Sequence, residues 1–167
     1  MEDIAFIVCD ALQKHGTVAV LTGGSAATFY TPESYASDDI DFIITFRAQG
    51  AAKVLRDIGF LERSGAYVHP ASKYLVEFPP GPLAVGDDLI TVWDTVEKSD
   101  RTLHVITRTD CVRDRLAAYY HWNDYRSLHV ACDVARSGAV DWNVIRNWSD
   151  REGHMMKFTE FWKLVNG

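Results

Sequence analysis

A chain of 167 residues with 47% apolar and 24% charged side chains holds one domain, with room for a short helical appendage. That balance excludes a disordered chain, and no run of about 18 apolar residues is present to cross a bilayer. The net charge of −6 argues against a broad basic surface for DNA or RNA and leaves only a local basic patch open.

Three cysteines, Cys9, Cys111 and Cys132, are odd in number and widely spaced. They make neither a CxxC zinc pair nor a disulfide framework, so a reducing cytoplasm is the expected compartment. The N-terminus carries Glu2 and Asp3 where a secretory signal would be basic.

In chain order, residues 1–106 alternate short helices and strands. A first helix has Ile4, Ile7, Val8, Ala11 and Leu12 on one stripe. A strand over Thr17–Leu21 leads into Gly23-Gly24 and a short helix from Ser25 to Tyr30. Thr31–Ser37 reads as a polar loop. Asp39–Phe46 reads as a buried strand, rich in Ile and Phe. A helix over Ala48–Ile58 ends at Gly59, a suitable C-cap. Strands follow at Phe60–Arg63, Ala66–His69 and Tyr74–Phe78, and Pro79-Pro80-Gly81-Pro82 stops the last of them. Leu103–Ile106 closes the sheet region.

Residues 107–167 are helical in pattern. Thr109 is a plausible N-cap for DCVRDRLAAYYHW. Further helices cover Tyr125–Ser137, Asp141–Arg151 and Lys157–Val165, with Trp142, Trp148 and Trp162 as expected anchors of the bundle. His121 and Trp122 are a candidate base-stacking pair, although aromatic residues on a helix are more commonly core. The expected architecture is α+β: a mixed sheet flanked by helices, followed by a helical region packed on it.

The chemistry concentrates in LTGGSAATFYTPESYASDDIDFIITF. Alternation along a strand puts Asp39 and Asp41 on one face, about 7 Å apart, with Ile40, Phe42 and Ile44 on the other. Two carboxylates so placed repel each other, and burial raises the cost of ionising both. A divalent cation removes that cost, and Mg²⁺ prefers carboxylate and phosphate oxygens. Gly23-Gly24 lets the backbone approach a phosphate without Cβ interference. The following helix aims its free N–H groups at the same anion, and Ser25 can add a hydroxyl donor. The pattern is that of an NTP site with Mg²⁺. The Walker, dinucleotide, nucleophile-elbow and HExxH patterns are all missing.

Gly23-Gly24-Ser25 followed by Asp39-Ile40-Asp41 resembles the signature of the DNA polymerase β-like nucleotidyltransferase superfamily. The resemblance covers residues 17–78 and is nearest to a small bacterial branch that includes AbiEii-type toxins. It implies a minimal nucleotidyltransferase fold and transfer of a nucleoside monophosphate from an NTP to an acceptor hydroxyl, with release of pyrophosphate. It also implies a third carboxylate on a neighbouring strand, for which Glu77 is the candidate metal ligand or base; Asp87 and Asp88 are poorer ones. Basic residues on a later helix would contact phosphates, with Arg113, Arg115 and Arg126 on offer and Arg115 selected. The acceptor stays open between RNA, a protein side chain and a small hydroxylated compound such as an antibiotic. A silent nucleotide-binding module or half of a toxin–antitoxin pair, contacting a protein partner through the C-terminal helices, is the alternative.

Overall fold

The computed structural model describes residues 1–167, the whole chain. Its strands are β1 (Val18–Leu21), β2 (Asp39–Phe46), β3 (Leu61–Arg63), β4 (Ala66–Val68), β5 (Leu75–Glu77), β6 (Ala84–Val85), β7 (Asp88–Leu89), β8 (Trp93–Lys98) and β9 (Arg101–Ile106). Its helices are α1 (Glu2–Lys14), α2 (Gly23–Tyr30), α3 (Ala51–Asp57), α4 (Arg108–Trp122), α5 (Tyr125–Arg136), α6 (Trp142–Arg151) and α7 (Met155–Asn166).

Seven strands form one mixed sheet in the order β3-β4-β5-β2-β1-β9-β8, and β6 and β7 pair only with each other. At the centre β1 runs antiparallel to β2 and parallel to β9, while β2 runs parallel to β5. Ala19, Val20 and Leu21 are fully buried, as an apolar run in a central strand must be. Ile40 and Phe42 enter the core from β2, leaving Asp39 and Asp41 half-buried on the opposite face.

Helix α1 packs on β9 and β1, and the Cys9 thiol ties it to both strands. Its Sγ donates to the Ala19 carbonyl at 3.4 Å and accepts the His104 N–H at 3.3 Å. The buried stripe is Ala5, Phe6, Val8, Cys9 and Leu12, rotated from the expected one; Ile4 and Ile7 are only partly covered. One apolar core runs through sheet and C-terminal helices, since it includes Leu21 and Phe42 as well as Leu128, Trp148 and Phe161.

Several element boundaries differ from the sequence expectation. Helix α2 begins at Gly23 rather than Ser25, and α7 at Met155 rather than Lys157. Helix α3 begins at Ala51 because Gly50, at φ 84°, turns the chain just before it. Helix α4 is capped by Thr107: its Oγ1 accepts the Asp110 N–H at 3.1 Å. Thr109 instead accepts the Asp141 N–H at 2.9 Å, joining α4 to the start of α6. Strand β8 and the β6–β7 hairpin had no counterpart in the sequence reading. Trp148 is fully buried and stacked on Tyr120 at 5.4 Å, but Trp162 is partly exposed against Trp142. Trp122 is 76% exposed, so it is not a core residue.

Candidate active site

The site forms where β1 hands over to α2. The Thr22 N–H donates to the Asp41 carbonyl at 2.9 Å, fixing the turn against β2. Gly23 follows at φ 62°, a conformation that disfavours any side chain. A Cβ there would lie 3.2 Å from Asp41 Oδ2 and 3.9 Å from Arg115 Nη2. The glycine backbone therefore lies close against a carboxylate and a guanidinium contributed by two distant parts of the chain. No side chain caps α2, and no acid occupies its first turn. Its opening amides and positive dipole end stay available to an anion.

Gly24 and Ser25 serve the turn in other ways. A Cβ on Gly24 would meet Ser37 Oγ at 3.0 Å and the Tyr35 hydroxyl at 3.1 Å, so this glycine makes room for the loop before β2. Ser25 is fully buried. Its hydroxyl donates to the Thr22 carbonyl at 2.7 Å and accepts the Asp41 N–H at 3.0 Å. Where the sequence suggested an outward donor, the structure shows a tie between the turn and the strand carrying Asp41. Its single hydroxyl hydrogen is already committed.

The three acids share one sheet face. The parallel β2–β5 register sets Asp39 opposite Leu75 and Asp41 opposite Glu77. Burial, then Glu77 and Asp39 in that order, push the Asp41 carboxyl from 3.8 up to about 6; Arg115 opposes the rise and Asp114 adds to it. This is an all-oxygen donor set with uncompensated negative charge, the kind that suits a hard divalent cation. No group of three acidic, histidine or cysteine side chains closes to ligating geometry within the chain itself. Ligand oxygens would have to complete a coordination shell.

Arg115 reaches this place from α4. Its guanidinium is largely buried and paired with Asp114, through Nε at 2.9 Å and Nη2 at 2.6 Å. The other arginines on offer go elsewhere. Arg113 is bound by Asp110 and Asp88, and Arg126 lies 5.3 Å over the Tyr35 ring.

Beside Gly23 and Asp41 opens a cleft of about 280 Å³. Thr22 and Asp114 line its polar end, and Ile43, Pro79, Leu83 and Val85 are among its apolar walls. Gly24, Ser25, Asp39, Glu77 and Arg115 lie outside that lining. Asp114 and the hairpin residues were not found by sequence reasoning. Asp114 looked like an ordinary helical acid, and the hairpin strands are too short to show a period.

No protein-family model matches the chain, and no curated protein sequence matches it. Solved structures do resemble it. An antigenic nucleotidyltransferase-like protein from Paracoccidioides brasiliensis superposes with a TM-score of 0.60, over 80% of this chain and 74% of that one, at 11% identity. The chain has the nucleotidyltransferase fold. The solution structure of the antibiotic-resistance factor ANT(2'')-Ia gives a TM-score of 0.51 over 95% of this chain and 97% of its own, at 13% identity. That second likeness is nearly end to end, so it takes in the C-terminal helices along with the sheet. At such identities the likeness is one of fold, and the chemistry must rest on the residues themselves.

Proposed function

We propose that the chain transfers a nucleoside monophosphate from an NTP to the hydroxyl of a small acceptor, with release of pyrophosphate. The observation that carries this is the seat of Gly23, at an uncapped helix N-terminus close against the Asp41 carboxylate and the Arg115 guanidinium. Triphosphate lies along the Gly23-Gly24 turn. Its charge is taken by the α2 amides and by Arg115 once that side chain shares its fork with the ligand. Ser25 acts by holding the turn to β2.

Mg²⁺ would be held by carboxylates of the Asp39, Asp41 and Glu77 face together with phosphate oxygens of the nucleotide, and when bound would neutralise charge on both. Glu77 takes the proton of the acceptor hydroxyl. The acceptor oxygen then bonds to the α-phosphorus as the bond from that phosphorus to the bridging oxygen breaks, and the electron pair leaves with pyrophosphate. The acceptor is small because the cleft next to Asp41 holds about 280 Å³. Asp41 and Asp114 face it and repel a polyanion, which disfavours RNA. The fold's likeness to an antibiotic-resistance factor points the same way.

One observation favours a second reading, a nucleotide-binding module without turnover. Arg115 is already neutralised by Asp114, which lowers its value to a transition state. Melting curves with each NTP, with and without Mg²⁺, followed by label transfer from α-³²P-NTP to a small-metabolite pool, to RNA and to lysate protein, separate the two. A Mg²⁺-dependent shift with labelled small product supports transfer, and a shift with no labelled product supports the silent module. No shift with any NTP overturns both.

A further inference from the structure

The β6–β7 hairpin stands apart from the main sheet yet supplies a wall of the cleft. Its buried residues Leu83, Val85 and Ile90 line the cleft together with Ile43 and Pro79, and the Ile90 N–H closes its base on the Leu83 carbonyl at 2.9 Å. A two-stranded ribbon of this length does not hold its own position in water. Leu83, Val85 and Ile90 seat it in the common core, and Asp88 adds a polar tie. This carboxylate takes hydrogen bonds from Arg113 of α4 and, at 2.6 Å, from Arg151 of α6. Arg113 is buried, braced by Asp110 at 2.7 Å, and lies 5.3 Å over the Trp148 ring, so the grip is anchored in the helical core. The tip of the hairpin is seated as well: a Cβ on Gly86 would come within 2.6 Å of Glu152 Oε1.

We propose that the β6–β7 hairpin is the specificity wall for the acceptor, and that Asp88 is the positioning residue through which the C-terminal helices hold it. This rests on the nucleotidyl-transfer reading and adds the acceptor class: a small alcohol with an apolar face beside its hydroxyl. The hydroxyl points to the Asp41 end of the cleft and the apolar face lies under Leu83, Val85 and Ile90. The sheet packs against this wall through the shared core, and the helices add the Asp88 tie. A change at Asp88 or at Arg151 of α6 therefore alters acceptor choice without touching the residues assigned to the nucleotide.

The probe is 2-phenylethanol, with hydrogen exchange of amides 84–90 and saturation-transfer NMR as readouts, and the ATP–Mg²⁺ melting shift as the nucleotide control. Wild type should bind the probe and protect the hairpin amides. Asp88→Asn should weaken the probe about fivefold or more and speed exchange in the hairpin, while the ATP–Mg²⁺ shift is kept. Arg113 retains Asp110 in that variant, so the fold should survive. Arg151→Ala, at an exposed position, should give a smaller loss of the same kind. No hairpin protection by the probe in wild type, or unchanged probe affinity in Asp88→Asn, overturns the proposal. An absent ATP–Mg²⁺ shift in wild type marks failure of the nucleotide reading, and the acceptor wall falls with it.

Discussion

Helices α4, α5 and α6 each begin on a side chain that accepts a first-turn amide, from Thr107, Asp124 and Asp141 respectively. Helix α2 begins at Thr22 with no side-chain cap. The contrast extends to charge. In the helical region Arg113 has two carboxylate partners, and the Lys157 ammonium donates to the carbonyls of Tyr119 and Tyr120 and to Asn123. In the sheet region Asp39, Asp41 and Glu77 share a face, and burial with the charges of Glu77 and Asp39 pushes the Asp41 carboxyl up to about 6. The helical region has its own unpartnered atoms, Arg113 Nε and Trp148 Nε1, but these are buried in the core, whereas the half-buried acids of the sheet border a cleft where a ligand can complete them.

The hardest blow to this contrast would come from the helical side. Trp148→Ala removes a fully buried indole stacked on Tyr120 and should cost about 3–5 kcal/mol, lowering Tm by on the order of 10 °C. Because one core runs through both regions, calorimetry should show a single transition at the lower temperature. Two separate transitions would mean that the helices fold as an independent unit. On the sheet side, Asp39→Asn should reduce label transfer by roughly 10²–10³-fold while moving Tm by less than about 2 °C. An equal loss of stability would assign Asp39 to the fold instead of the chemistry.

Ser25→Ala sharpens the contrast within the site. The substitution strips the acceptor from the buried Asp41 N–H, so the apo protein should lose about 1–3 kcal/mol, read as a fall in Tm. A serine acting only on phosphate would leave the apo melting curve unchanged and weaken the NTP-induced shift alone.

These distinctions show which features could be read from the residues and which could not. Asp39 and Asp41 were legible because strand alternation fixes their common face, and Gly23-Gly24 because only a special turn asks for two glycines after an apolar strand. Glu77 came from resemblance, and the parallel register then set it opposite Asp41. The direction of the Ser25 hydroxyl was not legible, since a serine at a helix start serves a ligand or its own backbone equally well. Strand β8 was missed because it is an exposed edge strand, with Asp94, Glu97 and Lys98 diluting its apolar alternation. Its turn, Ser99-Asp100, has both residues at positive φ without the glycine that signals such hairpins. In sequence Asp88 reads only as a poorer third carboxylate, because its actual partners, Arg113 and Arg151, are far away along the chain.

The smallest effect tests the strain itself. Asp41 titrates at about 6 in the folded chain against an ordinary 3.8, with burial the largest cause. The folded state thus binds its proton more tightly than the unfolded one. The resulting stability is complete below the unfolded value and is lost as pH rises through 6. At pH 7.5 the ionised carboxylate is a burden on the apo fold, by about 1 kcal/mol after discounting for its partial exposure. Asp41→Asn should therefore raise the apo Tm by about 2–4 °C at pH 7.5 and leave it nearly unchanged at pH 3.5. Mg²⁺ should raise the Tm of wild type at pH 7.5 and do little for the variant, because the charge that the cation would relieve is already gone. An apo Tm that falls in Asp41→Asn would mean that the carboxylate is satisfied within the chain, and the contrast between the acids of the sheet and the paired charges of the helices would disappear with it.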